Sequence, residues 1–95
     1  MPKYLAVHPV GKEVTAEAVT PLGRAVKAQA TTDAYWVRSI YARDEGKLYC
    51  EFDAKDADAV RQVVDKANAT LPEAARVPTE GIYKIDMMVN SEDFR

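Results

Sequence analysis

The spacing of apolar positions changes along the chain, and each change marks an element. Lys3 to His8 alternates loosely between Pro2 and Pro9. That reads as a strand with Leu5 and Val7 on one face and Tyr4, Ala6 and His8 on the other. Gly11-Lys12-Glu13 is a loop. Thr15 to Ala30 is rich in Ala and helical in composition. Pro21 within it predicts a main helix over about residues 20–30, with Thr20 as N-cap and Pro21 at the first helical position. Leu22, Ala25 and Val26 form its inner stripe.

A β-hairpin follows. Its arms are Tyr35-Trp36-Val37-Arg38-Ser39-Ile40-Tyr41 and Lys47-Leu48-Tyr49-Cys50-Glu51-Phe52, joined through Asp44-Glu45-Gly46. The second arm sets Leu48, Cys50 and Phe52 against Lys47, Tyr49 and Glu51. The first arm sets Val37, Ser39 and Tyr41 against Trp36, Arg38 and Ile40. Both sets carry large apolar groups, so the pattern leaves open which one is core. A second helix opens at Asp53 or Asp56 and carries Ala57, Val60, Val63, Val64 and Ala67 at helical spacing, with Asn68 as its stop. Residues 69–80, with Pro72 and Pro78, form a connector. Gly81 to Val89 is a last strand.

The order β-α-β-β-α-β predicts an α+β, ferredoxin-like fold: one four-stranded antiparallel sheet with two helices on one face. Residues 1–90 form a single domain and residues 91–95 a polar tail. The uncovered sheet face is partly apolar, which predicts a homodimer packed through the sheets, a dimeric α+β barrel.

Composition narrows the function. The 95 residues carry a net charge of −2 and scattered basic residues, and the pI is about 5.3. Nucleic acid is therefore not an expected partner. No apolar run approaches the ~20 residues of a membrane span. One Cys suggests a reducing compartment, and the expected location is the cytoplasm. Phosphate-binding glycine loops, Cys-x-x-Cys pairs and Gly-x-Ser-x-Gly are absent from the sequence.

His8, the only histidine, reads either as a metal ligand or acid/base group or as a strand-end residue in ordinary hydrogen bonds. If strands one and three lie side by side, His8 and Glu51 converge on the open sheet face, with Asp86 on the fourth strand as a further carboxylate. Such a set suits a divalent cation; the alternative is a solvated or dimer-buried face of paired charges. Cys50 points to the core by its alternation. Trp36 and Tyr49, with other aromatics, suit either a pocket for a small organic ligand or packing. Arg38 suits anion binding or a pair across the hairpin. No residue stands out as catalytic.

The run Tyr35-Trp36-Val37-Arg38-Ser39, then Gly46-Lys47-Leu48-Tyr49-Cys50-Glu51-Phe52-Asp53-Ala54, then Asp58-Ala59-Val60-Arg61, resembles a family of small bacterial ferredoxin-like proteins. That family was long catalogued as a domain of unknown function, and one branch is described as nickel-binding. The likeness covers Tyr4 to about Val77. Two positions depart from the family pattern: Val63 stands where its helix usually has His, and Asn68 where Gly usually follows. The resemblance implies a homodimeric binding protein for a divalent metal such as nickel, and His8, Glu51 and Asp86 are the candidate donors that the strand faces offer. A small enzyme or carrier with an organic pocket near Trp36, Tyr49 and Arg38 is the alternative, and a purely structural protein the third.

Overall fold

Two strands form the centre of the sheet in the computed structural model, which describes residues 1–94. Strand β1 (Lys3–Pro9) runs antiparallel to β3 (Lys47–Ala54), with Tyr4 opposite Phe52, Ala6 opposite Cys50 and His8 opposite Leu48. Strand β2 (Ala34–Ala42) flanks β3, and β4 (Gly81–Ile85) flanks β1, giving the antiparallel order β2-β3-β1-β4. Helices α1 (Ala16–Ala28) and α2 (Ala57–Ala69) complete the β-α-β-β-α-β order. This is the ferredoxin-like arrangement that the sequence predicts. None of the helices is long and apolar enough to cross a membrane, among the described residues.

One core unites helices and sheet. Leu22 and Val26 of α1, and Val60, Val63, Val64 and Ala67 of α2, pack with Tyr4, Ala6, Leu48, Cys50 and Phe52. Burying each Val, Leu or Phe side chain contributes about 1.5–3 kcal/mol.

Three details differ from the sequence expectations. Helix α1 starts at Ala16, capped by Thr15, whose Oγ1 accepts from the Ala18 N–H at 3.1 Å. Pro21 therefore lies inside the helix and not at its first position. The helix tolerates it because Glu17 and Pro21 both lie on the exposed side, where the carbonyl deprived of its donor meets water. The last strand stops at Ile85, which pairs with Lys3. Pro2 precedes Lys3 and has no N–H, so Asp86 to Val89 find no ladder to continue. Helix α2 ends at Thr70 as C-cap, leaving Asn68 within its last turn.

The hairpin carries a bulge at Val37. Trp36 pairs with Phe52 and Arg38 with Glu51, so Val37 is the extra residue. Ala34, Trp36, Ser39 and Tyr41 then share the helix side, and Tyr35, Arg38 and Ile40 the open side. The turn is fixed by Gly46, at φ +68°. Its carbonyl accepts from the Val10 and Gly11 N–H groups at 2.9 and 3.0 Å. A Cβ at Gly46 would meet Gly11 Cα at 3.3 Å, so the position is closed to side chains on two counts.

The helix termini make one test. Asp56 Oδ1 accepts from the Ala59 N–H at 2.8 Å as the α2 cap. Asp56→Ala is expected to lower the unfolding free energy by about 1 kcal/mol. Pro21→Ala is expected to raise it by about 1–3 kcal/mol, since the helix regains an internal hydrogen bond. Urea denaturation reads both, and equal signs would refute this account of the two helices.

Candidate functional site

His8 and Glu51 lie on opposite sides of the sheet. His8 sits opposite Leu48 and shares the helix side with Cys50, whereas Glu51 pairs with Leu5 on the open side. The expected convergence of the two therefore does not occur. Both faces of β1 carry apolar residues, so alternation alone could not orient the strand; the register does. Asp86 lies beyond the end of β4 and is exposed. Among the described residues, no three His, Cys, Asp or Glu side chains gather into a metal-ligating group.

Glu51 is committed elsewhere. It is 8% exposed, with Lys3 Nζ at 3.3 Å from Oε2 and Arg38 Nε at 3.4 Å from Oε1. Lys3 also reaches Asp53 at 2.8 Å. The four side chains form a charge-balanced row on the open face, flanked by the exposed Tyr35, Ile40 and Tyr83. Tyr49 is on this face as well, its hydroxyl donating to Glu45 at 2.6 Å. Of the three residues expected around an organic pocket, only Trp36 faces the helix side.

That side holds a partly open cavity of about 80 Å³ between sheet and helices. Its apolar walls include Leu22, Val26, Trp36, Leu48, Phe52 and Val64, and its polar atoms come from His8, Ser39 and Cys50. No charged side chain lines it. The volume is far below the ~300–1,000 Å³ of ordinary organic-ligand pockets.

His8 is 2% exposed. Its Nδ1 lies 3.1 Å from the Pro78 carbonyl and 3.2 Å from Thr79 Oγ1. A carbonyl only accepts, so Nδ1 carries the proton and Nε2 a lone pair. Nε2 bonds to no protein group, and no fully buried side-chain nitrogen or oxygen lacks a partner among the described residues. Nε2 therefore keeps some accessible surface, and His8 is among the residues that line the cavity. Burial pushes the imidazole pKa below its usual value, against the opposing effect of the Pro78 hydrogen bond.

A chain of polar contacts reaches the same cavity from the hairpin. Trp36 Nε1–H donates to Ser39 Oγ at 2.8 Å, and the Ser39 hydroxyl donates to Cys50 Sγ at 3.0 Å. The bulge at Val37 makes this possible, by turning Trp36 and Ser39 to one side. Burial pushes the Cys50 thiol pKa up, and the Ser39 hydrogen bond offsets part of that.

Asn68 and the connector were not legible as site components. Asn68 Nδ2 donates to the Val77 carbonyl, and the Val77 N–H donates to Asn68 Oδ1, both at 3.0 Å. The Glu80 N–H then donates to the Val7 carbonyl at 2.7 Å. Pro78, between these clamps, is thereby held against His8. Its carbonyl carries no side-chain signal that a sequence could show.

A family model described as "Nickel responsive protein SCO4226-like" matches residues 4–77. Among solved structures, the crystal structure of SCO4226 from Streptomyces coelicolor A3(2) matches with a TM-score of 0.74 at 16% identity, covering 92% of this chain and 99% of that one. At that identity the likeness is one of fold. No curated protein matches the chain.

The buried imidazole is expected to make the fold acid-sensitive. Because the folded-state pKa lies below the unfolded value, the unfolded chain takes up the proton first as pH falls. Stability is thus fully present above about pH 6.5 and is lost as pH falls from there through the folded pKa. Asp53, held low chiefly by Lys3, adds its own loss only below the ordinary carboxylate value of 3.8. Urea midpoints measured between these ranges are expected to fall with pH in the wild type and to be flatter in His8→Gln. Identical acid dependence in the two proteins would remove His8 as the cause.

Proposed function

The chain belongs to the SCO4226-like family of nickel-responsive proteins, and from that premise we propose that it is a small homodimeric binding protein that holds a transition-metal ion in the cavity beneath Trp36, with His8 Nε2 as the anchoring donor. We place it in a reducing compartment, the cytoplasm, where its single thiol stays free. The observation that carries the metal reading is the neutral, buried His8. Its Nδ1–H is bonded to Pro78 and the residue lines the cavity. A second-layer acceptor on one ring nitrogen and a free lone pair on the other is how ligating histidines are oriented.

The cavity's size supports the ion reading over the organic-ligand reading. At about 80 Å³ it holds an ion with one or two small ligands and is too small for an ordinary organic molecule. A nickel(II) centre, which the family's description suggests, does not fit one chain either. Nickel(II) takes four or more N and O donors in planar or octahedral arrangement, and no group of three donors exists among the described residues. Glu51 and Asp86 are not donors in this proposal.

Titration calorimetry on chelator-stripped protein tests it. Saturable binding of at least one of nickel, zinc, cobalt or copper ions is expected, and it is expected to be lost in His8→Ala. No heat with any of them, or binding untouched by the substitution, would end the proposal.

The homodimer rests on the open face. Ile40, Tyr83 and Tyr35 are 61, 54 and 42% exposed there, beside charges already paired with one another. A second copy laid on this face would bury the aromatics without stranding a charge. Light scattering at micromolar concentration should give twice the mass of the 10.5 kDa chain, reduced to one copy in Ile40→Lys. A wild-type monomer would refute it.

A further inference from the structure

The large apolar side chains that solvent reaches avoid the helices: among the described residues, none lies on α1 or α2. The edge strand β2 exposes Val37 and Ile40, and the segment after β4 exposes Met87, Met88, Val89 and Phe94, the first of them to 79%. That segment, Asp86 to Phe94, lies outside the residues 4–77 that match the family model. The family pattern therefore does not explain its composition.

The segment carries the sequence of a strand without the ladder of one. The period of two that sets Tyr83 and Ile85 opposite Leu5 and Lys3 runs on in Met87 and Val89. Among the described residues, Met87 to Val89 take part in no backbone hydrogen bond. Alternate apolar residues with unpaired N–H and C=O groups are what adds to the edge of another sheet.

The matching edge is β2. It and β4 are the two edge strands of the sheet, and residues 37–40 of β2 are exposed. Charge points the same way. Residues 86–94 hold Asp86, Glu92 and Asp93 and no base, whereas β2 holds Arg38 and no acid. Arg38 meets Glu51 through Nε at 3.4 Å, so its terminal guanidinium N–H groups can serve a further carboxylate. The same three acids oppose an anionic lipid surface, which favours a protein as the occupant. Within one chain, β3 and β1 stand between β2 and β4. Between two copies packed through their open faces, a two-fold axis parallel to the strands sets β4 of each beside β2 of the other, and both edges are covered at once.

We propose that Asp86–Phe94 is an arm that lies along β2 of a second copy of this chain, its Met87 and Val89 against the partner's Val37 and Ile40 and its carboxylates toward the partner's Arg38. The arm rests on the homodimer reading above and names what closes the rim of that interface.

Sedimentation velocity over a dilution series of the full chain tests it. The double substitution Met87→Asp, Val89→Asp is expected to raise the dimer dissociation constant at least about tenfold, by removing two buried apolar side chains and adding charge. At a dilution where wild type is monomeric, the urea midpoint of the variant is expected to match wild type, since both side chains are exposed within one chain. Hydrogen exchange supplies the location: amides 37–41 of β2 are expected to be slowed in the wild-type dimer and released in the variant. A dissociation constant unchanged in the variant overturns the arm and leaves the homodimer standing. A dimer whose β2 amides exchange as fast as in the monomer does the same. A urea midpoint that falls in the monomeric variant overturns it too, because the arm then packs on its own chain. A wild type that stays monomeric at every concentration overturns both readings.

Discussion

Which side chains lie beneath the helices is set by one pairing, His8 against Leu48 and Ala6 against Cys50. Side chains alternate across a strand, so a slip of one residue would carry His8 to the open face and turn Phe52 away from the core. The pairing is fixed from both ends. Phe52, 1% exposed, fills the core only in this register, and the hairpin tip is tied to the end of β1 through the Gly46 carbonyl. The same rule acts on β2, where the bulge at Val37 changes the alternation midway and brings Trp36, Ser39 and Cys50 together. The cavity's chemistry is thus a consequence of sheet registration more than of any local motif.

A buried imidazole N–H without an acceptor costs about 1–3 kcal/mol. The connector removes that cost, and it does so from a position that loops rarely hold firmly. Asn68 closes two hydrogen bonds on Val77, and Glu80 binds back to β1. Asn68 stands where the resembling family usually has Gly, and Val63 where it usually has His. Val63 is 2% exposed and packs in the core of this chain. The only imidazole of the chain is on β1, and the clamp that Asn68 adds holds the connector that carries its acceptor. Asn68 and His8 are thus parts of one local arrangement, while Val63 serves the core.

The fold was legible because its periods are clean. The α2 stripe, the second hairpin arm and the order of elements each point to one architecture, and turn chemistry at Gly46 agrees with them. Pro21 misled because the rule against internal proline weakens where the lost bond faces water. Residues 86–89 misled because alternation says nothing of whether a partner strand extends far enough. Half of the site was legible in kind: His8, Trp36 and Cys50 stand out by residue type. Their association was not, because β1 is apolar on both faces and the bulge breaks the pattern of β2. The Pro78 acceptor lies wholly outside what side-chain chemistry can announce.

The two faces of the sheet solve the problem of charge in opposite ways. On the open face, Lys3 and Arg38 stand against Glu51 and Asp53, so the row sums to zero and tolerates loss of water. Beneath the helices, among the described residues, no charged side chain lines the cavity, and its polar groups include an imidazole, a thiol and a hydroxyl. One strand separates the carboxylate of Glu51 from the thiol of Cys50, yet adjacent residues of β3 point to opposite sides and cannot share an ion. Glu51 and Cys50 therefore cannot serve one site within a chain. Glu51 is committed to Lys3 and Arg38 on its own face, whereas His8 and Cys50 share the apolar side beneath the helices, so the register of β3 keeps charged and uncharged polar groups apart.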